Sequence, residues 1–171
     1  MRIRPAALPD IPEIQAIYAH HVLTGTGTFE EVPPSVEEMA ARFATLTDAG
    51  AIWRVAEDAT GVLGYAYAAR YHTRSAYRFT AEDSVYVRDD QRGRGVGRAL
   101  LAELIAAATA AGFRQMLAVI GDSANVGSIA LHRGAGFTEA GRYRSVGYKF
   151  GRWRDVVLMQ RALGEGDTTP P

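Results

Sequence analysis

Apolar residues recur every three or four positions in four stretches of this chain, a spacing that predicts amphipathic helices. The clearest stretch carries Leu101 and Leu104 on one face and is followed by Gly112, a common helix stop. Another begins at Ser35, whose side chain is expected to form a capping box with Glu38. The predicted helices cover residues 9–23, 35–46, 98–111 and 125–135.

Shorter runs rich in β-branched and aromatic residues predict strands. Two of these runs flank a turn at residues 58–61, which predicts an antiparallel hairpin, and the last two runs form a closing pair. The predicted strands cover residues 3–6, 52–57, 62–69, 79–87, 116–120, 137–148 and 153–161. The resulting order, β-α-α-β-β-β-α-β-α-β-β, predicts an α/β protein with one central mixed sheet and helices on both faces.

Length and composition predict a single domain over residues 1–163, followed by a disordered tail at residues 164–171. Lys plus Arg and Asp plus Glu each number 19, so the formal net charge is zero. This balance argues against binding to nucleic acid or to an anionic membrane, because both need a net cationic face. The chain has no cysteine, which excludes disulfides, thiolate metal sites and a cysteine-bound acyl intermediate.

The sequence also carries expectations about location. Met1 leads into no apolar signal core, and no apolar run is long enough to span a bilayer. We therefore expect a cytoplasmic protein with no membrane partner.

The most informative segment, Gln91–Arg98, places alternating glycines between a predicted strand and a predicted helix. Glycines let consecutive main-chain N–H groups point into one concavity, and the helix start adds its dipole and its free donors. Arg92, Arg94 and Arg98 add positive charge at the rim. The segment predicts a pyrophosphate-binding loop, and the alternative is a glycine-rich turn that only joins the strand to the helix.

Two other kinds of phosphate loop do not fit this segment. A dinucleotide loop of the form G-x-G-x-x-G would need glycine where Arg98 stands. A P-loop needs Lys and Ser or Thr after its last glycine, but Gly97 is followed by Arg98 and Ala99.

The remaining pattern, Q-R-G-x-G-x-G, resembles the acetyl-CoA pyrophosphate loop of the Gcn5-related N-acetyltransferases (GNAT). The segment Asn125–Phe137 is similar to a second pattern of that family, N-x-x-S-x-x-L-Y-x-x-x-G-F. The resemblance runs in the same element order from Ile3 to Arg161. It implies the GNAT acyl-CoA N-acyltransferase fold, acetyl-CoA as co-substrate and transfer of an acetyl group to an amine.

The resemblance also implies which residues hold the coenzyme. Main-chain groups of β residues pair with the pantetheine amides as an added strand would, main-chain N–H groups of the glycine loop hold the pyrophosphate, and the second segment contacts the pantetheine arm. No metal ion and no electron-transfer cofactor is expected. The implied coenzyme-binding residues are Val85, Tyr86, Val87, Arg92, Gly93, Arg94, Gly95, Val96, Gly97, Arg98, Asn125 and Ser128.

Further segments resemble the branch of the family that acetylates phosphinothricin, methionine sulfoximine and methionine sulfone. They are Thr28-Phe29, Tyr77–Val87 and Val146–Asp155, together with His132 where most of the superfamily has Tyr. Substrates of that branch are free amino acids with a tetrahedral, oxygen-bearing γ or δ group. The resemblance implies that His72, Thr73, Arg74, Glu82, Asp83 and Ser84 line the substrate pocket, and Phe29 is expected to form one of its walls.

Acetyl transfer to an amino acid needs a proton acceptor, because the amine is mostly an ammonium at neutral pH. Glu82 is the candidate base, acting directly or through a water, and the alternative is that it only binds the ammonium. Asp83 is one residue further on, so it is expected to face the opposite side of the strand. His132, with an ordinary pKa of about 6.5, is the candidate donor to the leaving thiolate, and a structural role is the alternative.

Three functions remain open at this stage. The first is an amino-acid N-acetyltransferase, the second acetylates another amine such as a protein N-terminus or an aminoglycoside, and the third is a non-catalytic acyl-CoA-binding module. The loop over residues 24–34 is better suited to covering a small pocket than to lining a peptide groove, and a binding module needs no base such as Glu82. The resemblance and the aromatic-rich last strands also predict a homodimer.

Overall fold

A computed structural model describes residues 1–171 as a seven-stranded mixed sheet with helices on both faces. The sheet order is β1-β2-β3-β4-β5-β7-β6, and neighbours are antiparallel except for β4 and β5. The predicted order of helices and strands is confirmed. The elements are β1 (Arg2–Pro5), α1 (Ile11–Thr24), α2 (Val36–Asp48), β2 (Ile52–Asp58), β3 (Gly61–Arg70), β4 (Thr80–Val87), α3 (Val96–Ala110), β5 (Gln115–Gly121), α4 (Val126–Gly134), β6 (Thr138–Lys149) and β7 (Arg152–Ala162).

The apolar core divides into two clusters, one on each face of the sheet. Helices α1 and α2 cover one face, where the Tyr18 ring packs on Tyr86 and the Phe43 ring on Trp53. Helix α3 covers the other face, where Leu100 and Leu104 are fully buried. Because side chains alternate along a strand, the even-numbered residues of β4 face α1 and the odd-numbered residues face α3.

The sheet opens where its only parallel pair of strands separates. Pairing between β4 and β5 ends at Asp83 and Ala118, although both strands continue beyond these residues. Even-numbered β4 residues turn their main chain toward β3, since Thr80 O accepts from Tyr71 N at 3.0 Å. The main-chain groups of Val85 and Val87 therefore face the gap between β4 and β5.

Two helix starts differ from the prediction. Helix α3 begins at Val96, two residues earlier than expected, so its first turn contains the last glycine of the loop. The capping box of α2 is only half formed: Ser35 Oγ accepts from Glu38 N at 3.1 Å, as predicted. The Glu38 carboxylate instead pairs with Arg42 at 2.7 Å, because Arg42 lies one helical turn further on the same face.

Residues 164–171 form turns that lie beside β5. Arg114 donates from Nη2 to the carbonyl oxygen of Thr169 at 2.9 Å, and Thr169 Oγ1 donates to Glu165 at 2.6 Å. The disorder of this segment in solution stays a prediction.

None of the helices combines the length and the apolarity that a membrane crossing requires.

Candidate active site

The gap between β4 and β5 is the floor of a groove of about 1000 Å³. The groove runs along the ends of both strands, past the glycine loop and along α4, and His21 and residues 25–27 border it from the side of α1. Asp83 and Ser84, both predicted to bind substrate, also line it. The volume of the groove and its mixed polar and apolar lining suit a nucleotide with an extended arm.

The glycine loop lies at one end of the groove, and several of its main-chain N–H groups have no hydrogen-bond partner. No main-chain acceptor is within reach of the N–H groups from Gly93 to Arg98, and the first bonded donor of the helix is Ala99, to Gly95 O at 3.0 Å. Gly95 is the N-cap of α3 at φ 85°, a left-handed conformation that places successive N–H groups on one side. Arg92 N is not free, because it donates to Asp89 O at 3.3 Å. The predicted anion site is therefore one residue shorter than expected.

The three arginines of the loop differ in their positions. Arg98 lines the groove and pairs with no carboxylate. Arg92 also lines it, and its guanidinium contacts Asp89 at 3.1 Å. Arg94 does not line the groove, because its guanidinium turns back to Gln91 Oε1 at 3.1 Å. Arg94 therefore braces the loop through Gln91, and the contribution of its charge to anion binding stays a prediction.

Only two of the three residues expected to pair with pantetheine offer main-chain groups to the gap. Val85 and Val87 do so, but the Tyr86 carbonyl lies beside Gly64 of β3. The Tyr86 ring packs on Tyr65 with 5.2 Å between ring centroids. Tyr86 therefore shapes the groove through its ring, since alternation along β4 points its main chain the other way.

His21 is a groove residue to which the sequence analysis assigned no role. Its Nε2 lies 2.9 Å from Val87 O, at the exit of β4. A carbonyl oxygen only accepts, so Nε2 carries the proton, and the Val87 N–H is left as that residue's free group toward the gap. Burial lowers the pKa of His21, and the bond to Val87 opposes this shift. No local pattern could have shown this contact, because the two residues are 66 positions apart.

The start of α4 uses its own polar groups to hold itself in place. Asn125 Oδ1 accepts from Ser128 N at 3.2 Å, and Asn125 Nδ2 donates to Gly121 O at 3.2 Å. These bonds cap α4 and tie it to the end of β5. Asn125, expected to bind the pantetheine arm, therefore has one N–H left for the groove.

Asp83 and His132 form a buried pair between β4 and α4. His132 Nε2 lies 2.9 Å from Asp83 Oδ2, and its Nδ1 donates to Ser128 O at 2.8 Å. Burial disfavours the charge on His132, but the hydrogen bond and the charge of Asp83 outweigh it, so the pKa of His132 is raised. Both ring nitrogens are occupied by protein atoms. This geometry favours the structural role for His132 over direct donation to a thiolate.

Glu82 lies on the other face of β4, as the alternation predicted. It is half-buried, shares that face with Ser84, and has neither an ion-pair nor a hydrogen-bond partner. Burial raises the pKa of Glu82, and the neighbouring charge of Asp83 raises it further. A carboxyl group with a raised pKa and free oxygens has the properties of a general base near neutral pH.

The remaining predicted substrate residues lie in two places. The Phe29 ring packs between Gly121 of β5 and Gly147 of β6, where a Cβ at either glycine would crowd the ring. Residues 72–74 lie in the exposed connection before β4 and do not line the groove. The structure thus brings Phe29 next to the end of the groove and leaves residues 72–74 apart from it.

The comparison with known families settles the assignment that these features suggest. A family model described as the acetyltransferase (GNAT) domain matches residues 3–158, which include both the glycine loop and the α4 segment. The chain belongs to the GNAT acetyltransferase family. The predicted GNAT fold and the predicted acetyl-CoA-dependent N-acetyltransferase class are confirmed.

Proteins similar to this GNAT chain have been described in three bacteria. It is 58% identical to a phosphinothricin N-acetyltransferase of Alcaligenes faecalis, over 95% of this chain and 82% of the relative. It is 44% identical to an L-methionine sulfoximine/L-methionine sulfone acetyltransferase of Pseudomonas aeruginosa, over 98% of each chain. The crystal structure of a Sinorhizobium meliloti phosphinothricin acetyltransferase in complex with AcCoA superimposes with a TM-score of 0.96, at 51% identity, over 99% of this chain and 92% of the other.

Proposed function

We propose that this enzyme transfers the acetyl group of acetyl-CoA to the amine of amino acids of the phosphinothricin, methionine sulfoximine and methionine sulfone type. The observation that carries the proposal is the placement of Glu82. Its free carboxyl group, with a raised pKa, lies next to Asp83, at the point where β4 and β5 separate. The relatives that act on these amino acids match the chain over almost its full length.

The coenzyme is proposed to lie along the groove with its pyrophosphate at the glycine loop. The free N–H groups from Gly93 to Arg98 would bind the anion, with Arg98 adding charge. Val85 and Val87 would pair with the pantetheine arm as a neighbouring strand does. This arrangement brings the acetyl end to the opening of the sheet.

Glu82 is proposed to take the proton from the substrate ammonium, directly or through one water. The deprotonated amine can then attack the thioester carbon in a ternary complex, without an acyl-enzyme. The tetrahedral intermediate breaks its C–S bond, and coenzyme A leaves as a thiolate that takes a proton from solvent. Phe29 is proposed as a wall of the acceptor site, since its ring lies at the end of β5. His132 is proposed to hold Asp83 and α4 against β4, so that the opening keeps its width.

An acceptor panel tests the proposal. Release of the coenzyme A thiol is measured with phosphinothricin, methionine sulfoximine, methionine sulfone, a peptide with a free N-terminus and an aminoglycoside. We expect the three amino acids to give the highest kcat/KM. A higher kcat/KM for the peptide or the aminoglycoside would contradict the proposal and assign the enzyme to that class of amine. Binding of acetyl-CoA without release in any arm would support a non-catalytic module.

We also propose a homodimer that forms through the β6–β7 hairpin. The hairpin exposes a cluster of large apolar side chains, with Tyr148 58% and Trp153 66% exposed. A monomer seldom exposes several such residues together. The full cluster is Tyr143, Val146, Tyr148, Phe150 and Trp153.

Light scattering of the purified chain measures the oligomeric state directly. We expect twice the 18.5 kDa chain mass for the wild type. We expect a smaller average mass for Trp153→Glu, because a charge would be buried in the interface. A wild type with the mass of one chain would contradict the dimer.

A further inference from the structure

Lys149 is a lysine whose ammonium group is inside the protein. The residue is 1% exposed, and its Nζ donates to the carbonyl oxygen of Thr28 at 2.8 Å. Its ammonium also lies 5.0 Å from the centroid of the Phe150 ring. Burial lowers the pKa of Lys149, although Glu31 and Glu30 oppose the shift. A buried ammonium is costly, and a neutral carbonyl compensates it only in part. Stability alone therefore does not account for the charge.

The position of Lys149 is set by the turn between β6 and β7. Lys149 pairs with Arg152 across a two-residue turn in which Phe150 has φ 51°. A bulky residue rarely adopts this left-handed conformation. Arg154 Nε donates to the Lys149 carbonyl at 3.3 Å, which fixes the residue from the neighbouring strand. The lysine is thus held in place by an unusual backbone conformation.

The segment that Lys149 contacts is the connection between α1 and α2, residues 25–35. Other parts of this connection are held from the helices: Thr28 Oγ1 bonds Tyr18 OH at 2.9 Å, and Glu30 accepts from Arg42 at 2.7 Å. From the sheet side, Lys149 bonds the main chain at Thr28. The bonds to Thr28 and Glu30 therefore flank Phe29 on both sides.

The Phe29 ring has little freedom where these bonds place it. It lies against Gly121 and Gly147, and any Cβ on Gly147 would overlap the ring. A small shift of the Thr28 carbonyl would move the ring relative to the end of β5. No hydrogen bond or ion pair joins the Lys149 ammonium to the coenzyme residues of β4 or of the glycine loop.

We infer that Lys149 is a positioning residue for the acceptor: by holding the Thr28 carbonyl, it fixes Phe29 as the wall of the amino-acid site. It acts on the affinity for the acceptor and leaves the affinity for acetyl-CoA unchanged. The inference rests on the proposed function, because it requires an amino-acid acceptor next to Phe29.

Steady-state kinetics of Lys149→Met test this role. Methionine keeps the side chain as far as the position of Cε and removes the Nζ donor and its charge. We expect the KM for the acceptor to rise about tenfold, as for loss of one well-placed hydrogen bond, with the KM for acetyl-CoA changed less than about twofold. The matched control is Arg152→Met, which removes an exposed cation at the same turn and is expected to change neither constant.

A double-mutant cycle with Phe29→Ala tests whether the effect passes through Phe29. If it does, adding Lys149→Met to Phe29→Ala changes kcat/KM for the acceptor by less than about twofold. The inference is overturned if the two effects simply multiply, if both KM values rise together, or if only the fraction of active protein falls. Lys149→Gln, which keeps an N–H donor, is expected to recover part of the acceptor affinity. The Lys149→Gln variant is judged by the same criteria if Lys149→Met does not fold.

Hydrogen exchange of residues 25–34 separates this inference from the proposed function. Lys149→Met should speed exchange in this segment relative to Arg152→Met, whether or not an acceptor is known. If the wild type is inactive on every amino acid while Lys149→Met still exchanges faster than Arg152→Met, the proposed function is refuted. The role of Lys149 in holding the Thr28 segment is then retained. Equal exchange in both variants would refute the positioning role.

Discussion

Glu82 and Asp83 are neighbours in the chain, but they lie in opposite surroundings. Glu82 has free oxygens on the face of α1, whereas Asp83 is buried against His132 on the face of α4. The alternation of a strand is sufficient to separate them. The two carboxyl groups can therefore carry different roles, one in proton transfer and the other in holding two elements together.

The first prediction concerns Glu82→Gln. If Glu82 is the base, this variant should lower kcat by about 10² to 10⁴-fold and leave the KM for acetyl-CoA nearly unchanged. Because the base must be deprotonated and its pKa is raised, the acidic limb of the wild-type kcat/KM profile should lie above the ordinary pKa of Glu. A Gln variant with the same limb and the same kcat would assign proton transfer to another group.

The second prediction is that Glu82→Gln, which should lower activity, raises the free energy of unfolding at high pH. A raised pKa in the folded state means that the charged form of Glu82 is disfavoured, so its contribution is favourable at low pH and is lost as pH rises through the folded pKa. Glu82→Gln should therefore be more stable than the wild type at pH 8 and equal to it below pH 4. Urea unfolding at both pH values measures the difference, and a Gln variant less stable at pH 8 would contradict it.

The third prediction concerns the pair of Asp83 and His132. His132→Leu should lower the free energy of unfolding by about 3 kcal/mol at pH 6, because it leaves a buried carboxylate without its partner. The pKa of His132 is raised on folding, so this loss is largest below pH 6.5 and shrinks as pH rises through the folded pKa. Urea unfolding of the double variant with Asp83→Ala provides the control. If the double variant loses as much unfolding free energy as the two single variants added together, Asp83 and His132 do not stabilise each other.

At the scale of elements, the glycine loop depends on a left-handed residue at the start of α3. Gly95→Ala should lower the free energy of unfolding by about 1 kcal/mol and raise the KM for acetyl-CoA. Gly112→Ala is the matched control, because Gly112 has φ 88° at the other end of α3 and does not line the groove. Denaturation and kinetics of both variants are compared. If Gly95→Ala and Gly112→Ala have the same KM for acetyl-CoA, the glycine loop does not need a glycine at position 95 to bind the coenzyme.

The sequence predicts most of the elements because their signals are local. The apolar stripe of α3 and the alternation along β4 are local patterns, and both predictions are confirmed. The glycines before α3 form the predicted turn into the helix, and their role in binding pyrophosphate stays a prediction. The contacts that complete the site join distant parts of the chain, such as His21 with Val87, and Lys149 with Thr28. No period or spacing encodes such contacts. The direction of the Tyr86 carbonyl likewise depends on the register in which β4 pairs with β3.

At the scale of the whole molecule, the domain is proposed to end at Leu163. This residue is 1% exposed, while the residues after it contact Arg114 near the surface. A chain that ends at Leu163 should keep the wild-type kcat/KM and lose less than about 1 kcal/mol of unfolding free energy. A chain that ends at Ala162 should lose about 2 kcal/mol more, because a buried leucine is removed. Equal stability of the two truncated chains would place the boundary elsewhere.

The opening between β4 and β5 has a consequence for turnover. In the proposed binding mode, the main-chain groups at this opening and at the glycine loop contact parts of the coenzyme that are the same before and after the reaction. Coenzyme A without its acetyl group should therefore bind about as well as acetyl-CoA, and the two should compete for the same groove. We therefore expect the rate to follow the ratio of acetyl-CoA to free coenzyme A more than the amount of either.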